Sequence, residues 1–163
     1  MSERRPLNDS ERLDWLRLIR SDNVGPVIFR QLIERFGSAA DALAALPDLA
    51  KRGGRKSFCA YARDNAETEL DRLAAVDARL VARCEPGYPA ALAAVDDAPP
   101  LLAVRGRTEF LDRRGIAVVG ARNASANGIR FARQLASDLG AAGLLVISGM
   151  ARGIDAEIGR AHV

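Results

Sequence analysis

Two glycine-containing turns hold the residues of this sequence that are best suited to binding an anion. The first turn lies in "AVVGARNASANG" and the second in "VISGMARGID". Small residues leave backbone N–H groups near a helix start open to an anion, and arginine binds phosphate through bidentate charged hydrogen bonds. The predicted phosphate-binding residues are Gly120, Arg122, Ser125, Gly128, Ser148, Gly149, Arg152 and Gly153.

The segments around the turns predict the element that brings them together. "IAVV" and "LLVI" are short apolar runs, and "NGIRFARQLASDLGAAG" between them has apolar residues at helical spacing, with Gly143 beyond the helix end. Strand, helix and strand of this length form a right-handed parallel unit, and strands that do not alternate are expected to be buried on both faces. The carboxyl ends of parallel strands share one edge of the sheet, so the two turns should form one cationic pocket.

The first turn differs from a dinucleotide-binding loop. Arg122 stands where the G-x-G-x-x-G pattern has its second glycine, so a dinucleotide is disfavoured and no cofactor is predicted. Two simpler interpretations stay open, namely a tight connection without a ligand and a surface Arg122 paired with a carboxylate. Asp155 is predicted to cap a helix rather than to act as an acid or base.

The first half of the chain has the apolar spacing of helices. "ERLDWLRLIR" follows the capping residue Asn8, and "VIFRQLIERFG" ends at Gly37. The next helix, "AADALAAL", should end at Pro47, and a longer helix is predicted from Ser57 to Ala75. "NVGP" is either a helix-hairpin-helix turn, which can offer N–H groups to a DNA phosphate, or a plain corner. "KRGGRK" is either a solvated loop or a further phosphate contact.

Composition limits the class of protein. The 163 residues carry 24 Lys and Arg against 21 Asp and Glu, a net charge of +3 that permits a nucleic-acid partner without requiring one. Cys59 and Cys84 lie far apart, so no metal site or disulfide is predicted, and both are expected to be buried thiols in the cytoplasm. No apolar run reaches the roughly 18 residues of a membrane span, so no membrane association is expected.

Four motifs in series resemble those of the DNA-processing protein A family (DprA/Smf): "EPGYPAAL", "DDAPPLLAVRG", "IAVVGARNASANG" and "VISGMARGID". The helical half resembles the SAM-like or helix-hairpin-helix-like domain of many members. The fold class implied is α/β: a small all-helical N-terminal domain over residues 1–77, followed by an incomplete Rossmann-like parallel α/β domain over residues 78–156.

The same resemblance implies a function. Members bind single-stranded DNA during natural transformation, protect it and help to load the RecA recombinase. They are commonly homodimers and carry out no nucleotide chemistry, so no enzyme activity is expected. The resemblance places Arg122 in the basic DNA pocket of the family.

The last residues depart from the family pattern. "EIGRAHV" resembles the translation of a common sequencing adapter, so residues 157–163 are predicted to be a non-native tail that gives His162 no role. A sheet with so few strands should leave an open edge, and we expect residues after about 110 to fold poorly.

Two other classes of function compete with DNA binding. Nucleoside-monophosphate phosphoribohydrolases of the lysine-decarboxylase-like group also have a glycine-arginine turn and a later glycine-rich turn. A purely structural interaction module would have no ligand at the turns, and Arg122 would then be dispensable. The helical half and "EPGYPAAL" favour DNA binding.

Overall fold

The computed structural model of the chain describes residues 5–52 and 59–160. It divides into two compact units, one that ends at Leu111 and one that begins at Asp112. We call them the helical unit and the α/β unit and describe each by itself.

The first two helices begin and end at the predicted signals. Helix α1 (Asp9–Arg20) starts with a capping box, in which the Asn8 side chain accepts the Glu11 N–H and the Glu11 carboxylate accepts the Asn8 N–H, each at 2.9 Å. Helix α2 (Pro26–Phe36) ends where Gly37 adopts a φ of +81°. The "NVGP" corner joins the two helices, and Val24 is buried there.

Helix α3 (Ala39–Arg52) corrects one prediction, because Pro47 lies inside the helix and does not end it. Proline has no N–H, so the helix lacks one backbone hydrogen bond at this point. Leu46 is buried in the core and Leu49 packs against the same cluster. Burial of apolar side chains on both sides of Pro47 offsets the missing bond, which the local sequence signal could not show.

Helix α4 (Arg63–Ala75) begins later than predicted. Ser57 and Phe58 lie outside the described residues, as does most of "KRGGRK", but residues 59–62 are described and are not helical. Their backbone bonds to the end of α1 instead: Tyr61 N–H donates to the Ser21 hydroxyl at 3.1 Å, and Tyr61 C=O accepts from Arg17 Nε at 3.2 Å. Tertiary hydrogen bonds replace the first turn of the predicted helix.

Two strands extend the helical unit. Strands β1 (Ala78–Ala82) and β2 (Leu101–Arg105) pair antiparallel, with short helix α5 (Ala90–Ala93) between them and a 3-10 turn over Thr108–Phe110 after them. Leu80 of β1 is buried with Leu13, Leu16 and Ala66. The compact unit therefore extends beyond the predicted domain boundary at residue 77, because this hairpin packs on helices α1 and α4.

A charged pair fixes the segment that follows β1 to α1. Each Glu85 carboxylate oxygen accepts one bond from the Arg12 guanidinium and one from a backbone N–H. Oε1 accepts Arg12 Nη2 at 2.7 Å and Leu7 N–H at 3.0 Å, and Oε2 accepts Arg12 Nη1 at 3.1 Å and Ala82 N–H at 2.8 Å. Burial by itself raises the pKa of Glu85, but these bonds outweigh it and hold the pKa below its usual range.

The α/β unit confirms the predicted strand–helix–strand order. Strands β3 (Gly115–Ala117) and β4 (Leu145–Ile147) are parallel, with Ile116 opposite Val146. Helix α6 (Ala126–Ala141) connects them, and helix α7 (Ile154–Arg160) follows β4. The core of this unit contains Ala132 and Ala136 of α6 and Ile158 of α7, with Val118 and Val146 packed against it.

The prediction that these strands are buried on both faces is wrong for the described residues. All three residues of β3 are exposed, and Ile147 of β4 is 51% exposed. Within this unit, α6 and α7 pack against Val118 and Val146 on one face of the sheet. Side chains alternate along a strand, so Val119 and Ile147 belong to the other face and stay exposed.

Three smaller predictions can also be compared with the structure. Cys59 and Cys84 form no disulfide, but Cys59 is exposed rather than buried, while partial burial raises the pKa of the Cys84 thiol. Residues 157–160 of the predicted tail continue α7, where Glu157 pairs with Arg133; Ala161 and His162 lie outside the described residues. In the described part of the chain, no helix is both long and apolar enough to cross a membrane.

Candidate functional site

The first turn, residues 118–125, leads from β3 into α6. Val118 N–H donates to the Ile147 carbonyl at 2.8 Å, so the parallel pairing continues to the start of the turn. Ser125 caps α6, because its hydroxyl accepts the Gly128 N–H at 3.2 Å. Gly120 and Arg122 lie between these two fixed ends, so the turn has little freedom to move away from the sheet.

The second turn, residues 148–153, leads from β4 into α7. Met150 has a φ of +55° and a side chain that is 90% exposed, a backbone conformation that costs energy for a residue with a Cβ. The Ser148 hydroxyl is buried and has no hydrogen-bond partner among the described residues. It lines a groove of about 410 Å³ between β4 and α7, together with Met150, Asp155 and Ile158.

Two hydrogen bonds connect the first turn to the start of α7. Ile154 N–H donates to the Ala121 carbonyl at 3.2 Å. Gly120 N–H donates to Asp155 Oδ1 at 3.3 Å. The structure therefore brings both predicted turns to one edge of the sheet, at the carboxyl ends of β3 and β4, as the parallel topology requires.

Two of the predicted glycines are required by this contact between the turns. A Cβ on Gly120 would lie 2.6 Å from Ile154 Cγ1, and a Cβ on Gly153 would lie 2.5 Å from the Arg122 carbonyl oxygen. Gly153 also has a φ of +85°, which favours glycine. The sequence suggested that these glycines admit a ligand, and the structure gives them a further role, which is to let the first turn and the start of α7 approach each other.

The two arginines at this edge are exposed. Within residues 5–52 and 59–160, neither Arg122 nor Arg152 forms a hydrogen bond or an ion pair with another side chain. The alternative in which Arg122 is paired with a carboxylate is therefore not what the described structure contains. Within the described residues, both guanidinium groups are therefore available to contact a ligand.

The prediction that Asp155 caps a helix is wrong. Asp155 is the second residue of α7 and not its cap, and its carboxylate is 8% exposed. Oδ1 accepts the Gly120 N–H, and Oδ2 lies 3.1 Å from the position that a Cβ on Gly149 would occupy. Sequence reasoning missed this contact because it joins residues that are 35 positions apart.

The exposed apolar side chains at the same edge were also missed. Val119 is 78% exposed and follows β3, and Met150 is 90% exposed and follows β4. Apolar residues next to a strand end are indistinguishable in sequence from core residues, so no local signal separates them.

Comparison with known proteins decides the family. Residues 9–71 match the model of the "DprA-like N-terminal HHH domain", and residues 79–163 match that of "DNA recombination-mediator protein A". The chain belongs to the DprA/Smf family.

Its relatives in this DNA-processing family include two proteins named Smf. The one from Synechocystis is 27% identical over 160 residues, which cover 91% of this chain and 40% of that protein. The one from Escherichia coli K12 is 35% identical over 98 residues, which cover 60% of this chain and 26% of that protein. The chain thus spans less than half the length of either relative.

The fold is also that of a solved DprA/Smf structure. The X-ray structure of DNA processing protein A (DprA) from Streptococcus pneumoniae superposes with a TM-score of 0.60 at 22% sequence identity, over 96% of this chain and 54% of that one. The predicted fold class, a helical N-terminal domain followed by a small α/β domain with a parallel sheet, is confirmed. Membership in the DprA/Smf family also favours DNA processing over the phosphoribohydrolase alternative.

Proposed function

We propose that the two turns of the α/β unit form a binding site for the backbone of single-stranded DNA. The observation that carries the proposal is the position of Arg122 and Arg152, which are exposed and, among the described residues, have no side-chain partner, on two turns joined at one edge of the sheet. The proposed binding residues are Gly120, Arg122, Ser125, Gly128, Ser148, Gly149, Arg152 and Gly153.

Physical chemistry supports a phosphate ligand at this edge. A guanidinium group binds a phosphate through two parallel charged hydrogen bonds, and contacts of this kind position a nucleic acid without reading its sequence. The N-terminus of the 16-residue helix α6 adds a favourable dipole near Arg122. The site should therefore bind single strands of different sequence with similar affinity.

Membership in the DprA/Smf family supports a wider role. We propose that the complete protein acts in natural transformation, where it protects incoming single-stranded DNA and helps to load the RecA recombinase. In this proposal the protein is a cytoplasmic homodimer and carries out no catalysis. Residues 1–77 are its helical domain, and residues 78–156 are part of its Rossmann-like domain. The proposed non-native character of residues 157–163 can be tested by sequencing the gene beyond the codon for Ala156.

The test is binding of a fluorescent oligo-dT to the 163-residue chain, measured by anisotropy at several salt concentrations. Affinity should fall steeply with salt, because phosphate contacts release counterions. Arg122→Ala should weaken binding by about 1 to 3 kcal/mol and reduce the slope of log K against log salt by about 0.7, the value for one phosphate contact on a single strand.

Arg114→Ala is the matched control. Arg114 is exposed in the same unit and the substitution removes the same charge, but it precedes β3 and so lies at the opposite end of the strand. Equal losses in the two variants would show that only net charge matters and would reject the site. Unchanged affinity in a folded Arg122→Ala variant would favour the structural-module alternative.

A further inference from the structure

We propose that Asp155 is a positioning residue, whose carboxylate locks the first turn against the second and so fixes Arg122 for phosphate binding. This inference rests on the proposed function for its effect on DNA, but the contact itself is independent of any ligand. Asp155 would touch no DNA, because its side chain is buried beneath the turns.

The contacts place the carboxylate between the two turns. Oδ1 accepts the Gly120 N–H of the first turn at 3.3 Å, and Oδ2 lies beside Gly149 of the second turn. Among the described residues, no arginine or lysine pairs with Asp155, and its Oδ1 accepts a backbone N–H rather than a cation. A buried anionic side chain of this kind contacts the turn and not a phosphate.

The residue next to Asp155 also contacts the first turn, so the two sets of contacts reinforce each other. Ile154, its neighbour, donates its N–H to Ala121 and packs so closely on Gly120 that a Cβ there would lie 2.6 Å from Ile154 Cγ1. The start of α7 thus holds two consecutive residues of the first turn, Gly120 through its N–H and Ala121 through its carbonyl. The Ala121 carbonyl belongs to the peptide bond that leads into Arg122, so the backbone position of Arg122 depends on these contacts.

The consequence for binding is geometric. Bidentate recognition of a phosphate requires the guanidinium plane to be held in one orientation, and an arginine on a loose turn must lose more conformational freedom when it binds. Removing the Asp155 carboxylate should therefore weaken DNA binding through Arg122, while the charge at the site becomes more favourable for DNA by one unit. A positioning role predicts weaker DNA binding after removal of the Asp155 carboxylate, whereas electrostatics alone predicts tighter binding.

The experiment uses Asp155→Ala and Asp155→Asn in the 163-residue chain, with Asp138→Ala as the matched control. Asp138 lies on α6 in the same unit and is exposed, with its carboxylate near Gln134. Amide hydrogen exchange at Gly120, measured without DNA, reports the lock directly. Oligo-dT binding, measured with and without Arg122→Ala in the same chain, reports its effect on the site.

The expected results are specific. Asp155→Ala should lower protection of the Gly120 amide and weaken oligo-dT binding about tenfold, the scale of one hydrogen bond to a charged group. Asp155→Asn keeps an acceptor oxygen and should restore both protection and binding to within about twofold. Asp155→Ala combined with Arg122→Ala should bind no worse than Arg122→Ala alone, because both substitutions remove one interaction. Asp138→Ala should change neither readout.

Three results would overturn the inference. The first is tighter DNA binding by Asp155→Ala. The second is additive losses of binding free energy when Asp155→Ala is combined with Arg122→Ala, and the third is unchanged protection of the Gly120 amide in Asp155→Ala. If Asp155→Ala does not fold, Asp155→Asn provides the test. Poor oligo-dT binding by a folded Asp155→Asn variant whose Gly120 amide is protected would also reject the role. If the unaltered chain does not bind oligo-dT, the proposed function fails, and the Gly120 exchange still tests the lock.

Discussion

Replacement of Glu85 by glutamine should destabilise the helical unit by about 2 to 3 kcal/mol, although the two side chains have nearly the same shape. Each carboxylate oxygen accepts one bond from Arg12 and one from a backbone N–H, that of Leu7 or that of Ala82. A glutamine amide has only one acceptor oxygen, so in either orientation one charged bond and one backbone bond are lost.

The magnitude follows from these two bonds. Both lost bonds end on the ionised Glu85 carboxylate, and a hydrogen bond to a charged group contributes about 1.5 to 3 kcal/mol. The Arg12 side chain is 21% exposed, so water recovers part of the loss, which brings the net cost down to about 2 to 3 kcal/mol.

Urea unfolding followed by tryptophan fluorescence measures this effect selectively. Trp15 is the single tryptophan of the sequence, and its ring packs on Phe29 in the core of the helical unit, with 4.9 Å between ring centroids. With a slope of about 1.5 kcal/mol per molar urea, the midpoint should fall by about 1.5 M.

Glu67→Gln is the control for the Glu85 experiment. It makes the same chemical change in the ion pair with Arg63, where both side chains are about half exposed, and it should cost under about 0.5 kcal/mol. If Glu85→Gln shifts the midpoint no more than Glu67→Gln does, with an unchanged slope, the account of the Glu85 hydrogen bonds is wrong.

Three further predictions concern the turn, the pH dependence and the two units. Gly153→Ala should weaken oligo-dT binding, because its positive φ costs about 1 kcal/mol or more and its Cβ would press on the Arg122 carbonyl; normal binding in anisotropy would contradict this. The hydrogen bond from Arg5 and the bond to Asn8 lower the pKa of Glu11 to about 2, so its stabilising effect is complete above pH 4.5 and is lost as the pH falls towards 2. Glu11→Gln should flatten the acid limb of the stability curve recorded by Trp15 fluorescence, and an unchanged limb would exclude Glu11 as its cause. Hydrogen exchange should be faster in the α/β unit than in the helical unit, since every residue of β3 is exposed; equal protection of both units would contradict this.

Elements whose signals are local can be predicted from the sequence alone. Asn8 and Glu11 lie within one helical turn of each other, so the capping box that starts α1 could be read directly. Gly37 and Gly143 stand where the chain needs a positive φ after a helix, at +81° and +80°, and both marked helix ends correctly. The same holds for the parallel unit, because its connecting helix fixes its handedness.

Only the tertiary structure decided the features that depend on distant residues. Pro47 should end a helix on local grounds, but buried Leu46 and the packing of Leu49 keep α3 continuous. Likewise, residues 59–62 have helical composition, yet Ser21 and Arg17 of the α1 end bind their backbone instead.

In the candidate site, too, some features have local sequence signals and others depend on contacts between distant residues. Residue types and spacing alone predict that Arg122 and Arg152 lie at one edge of the sheet, because parallel strands must end together. The contact of Asp155 with Gly120, and the fit of Gly153 against the Arg122 carbonyl, join positions about thirty residues apart along the chain. Such contacts depend on how closely two turns approach, and a sequence pattern specifies the turns but not the distance between them.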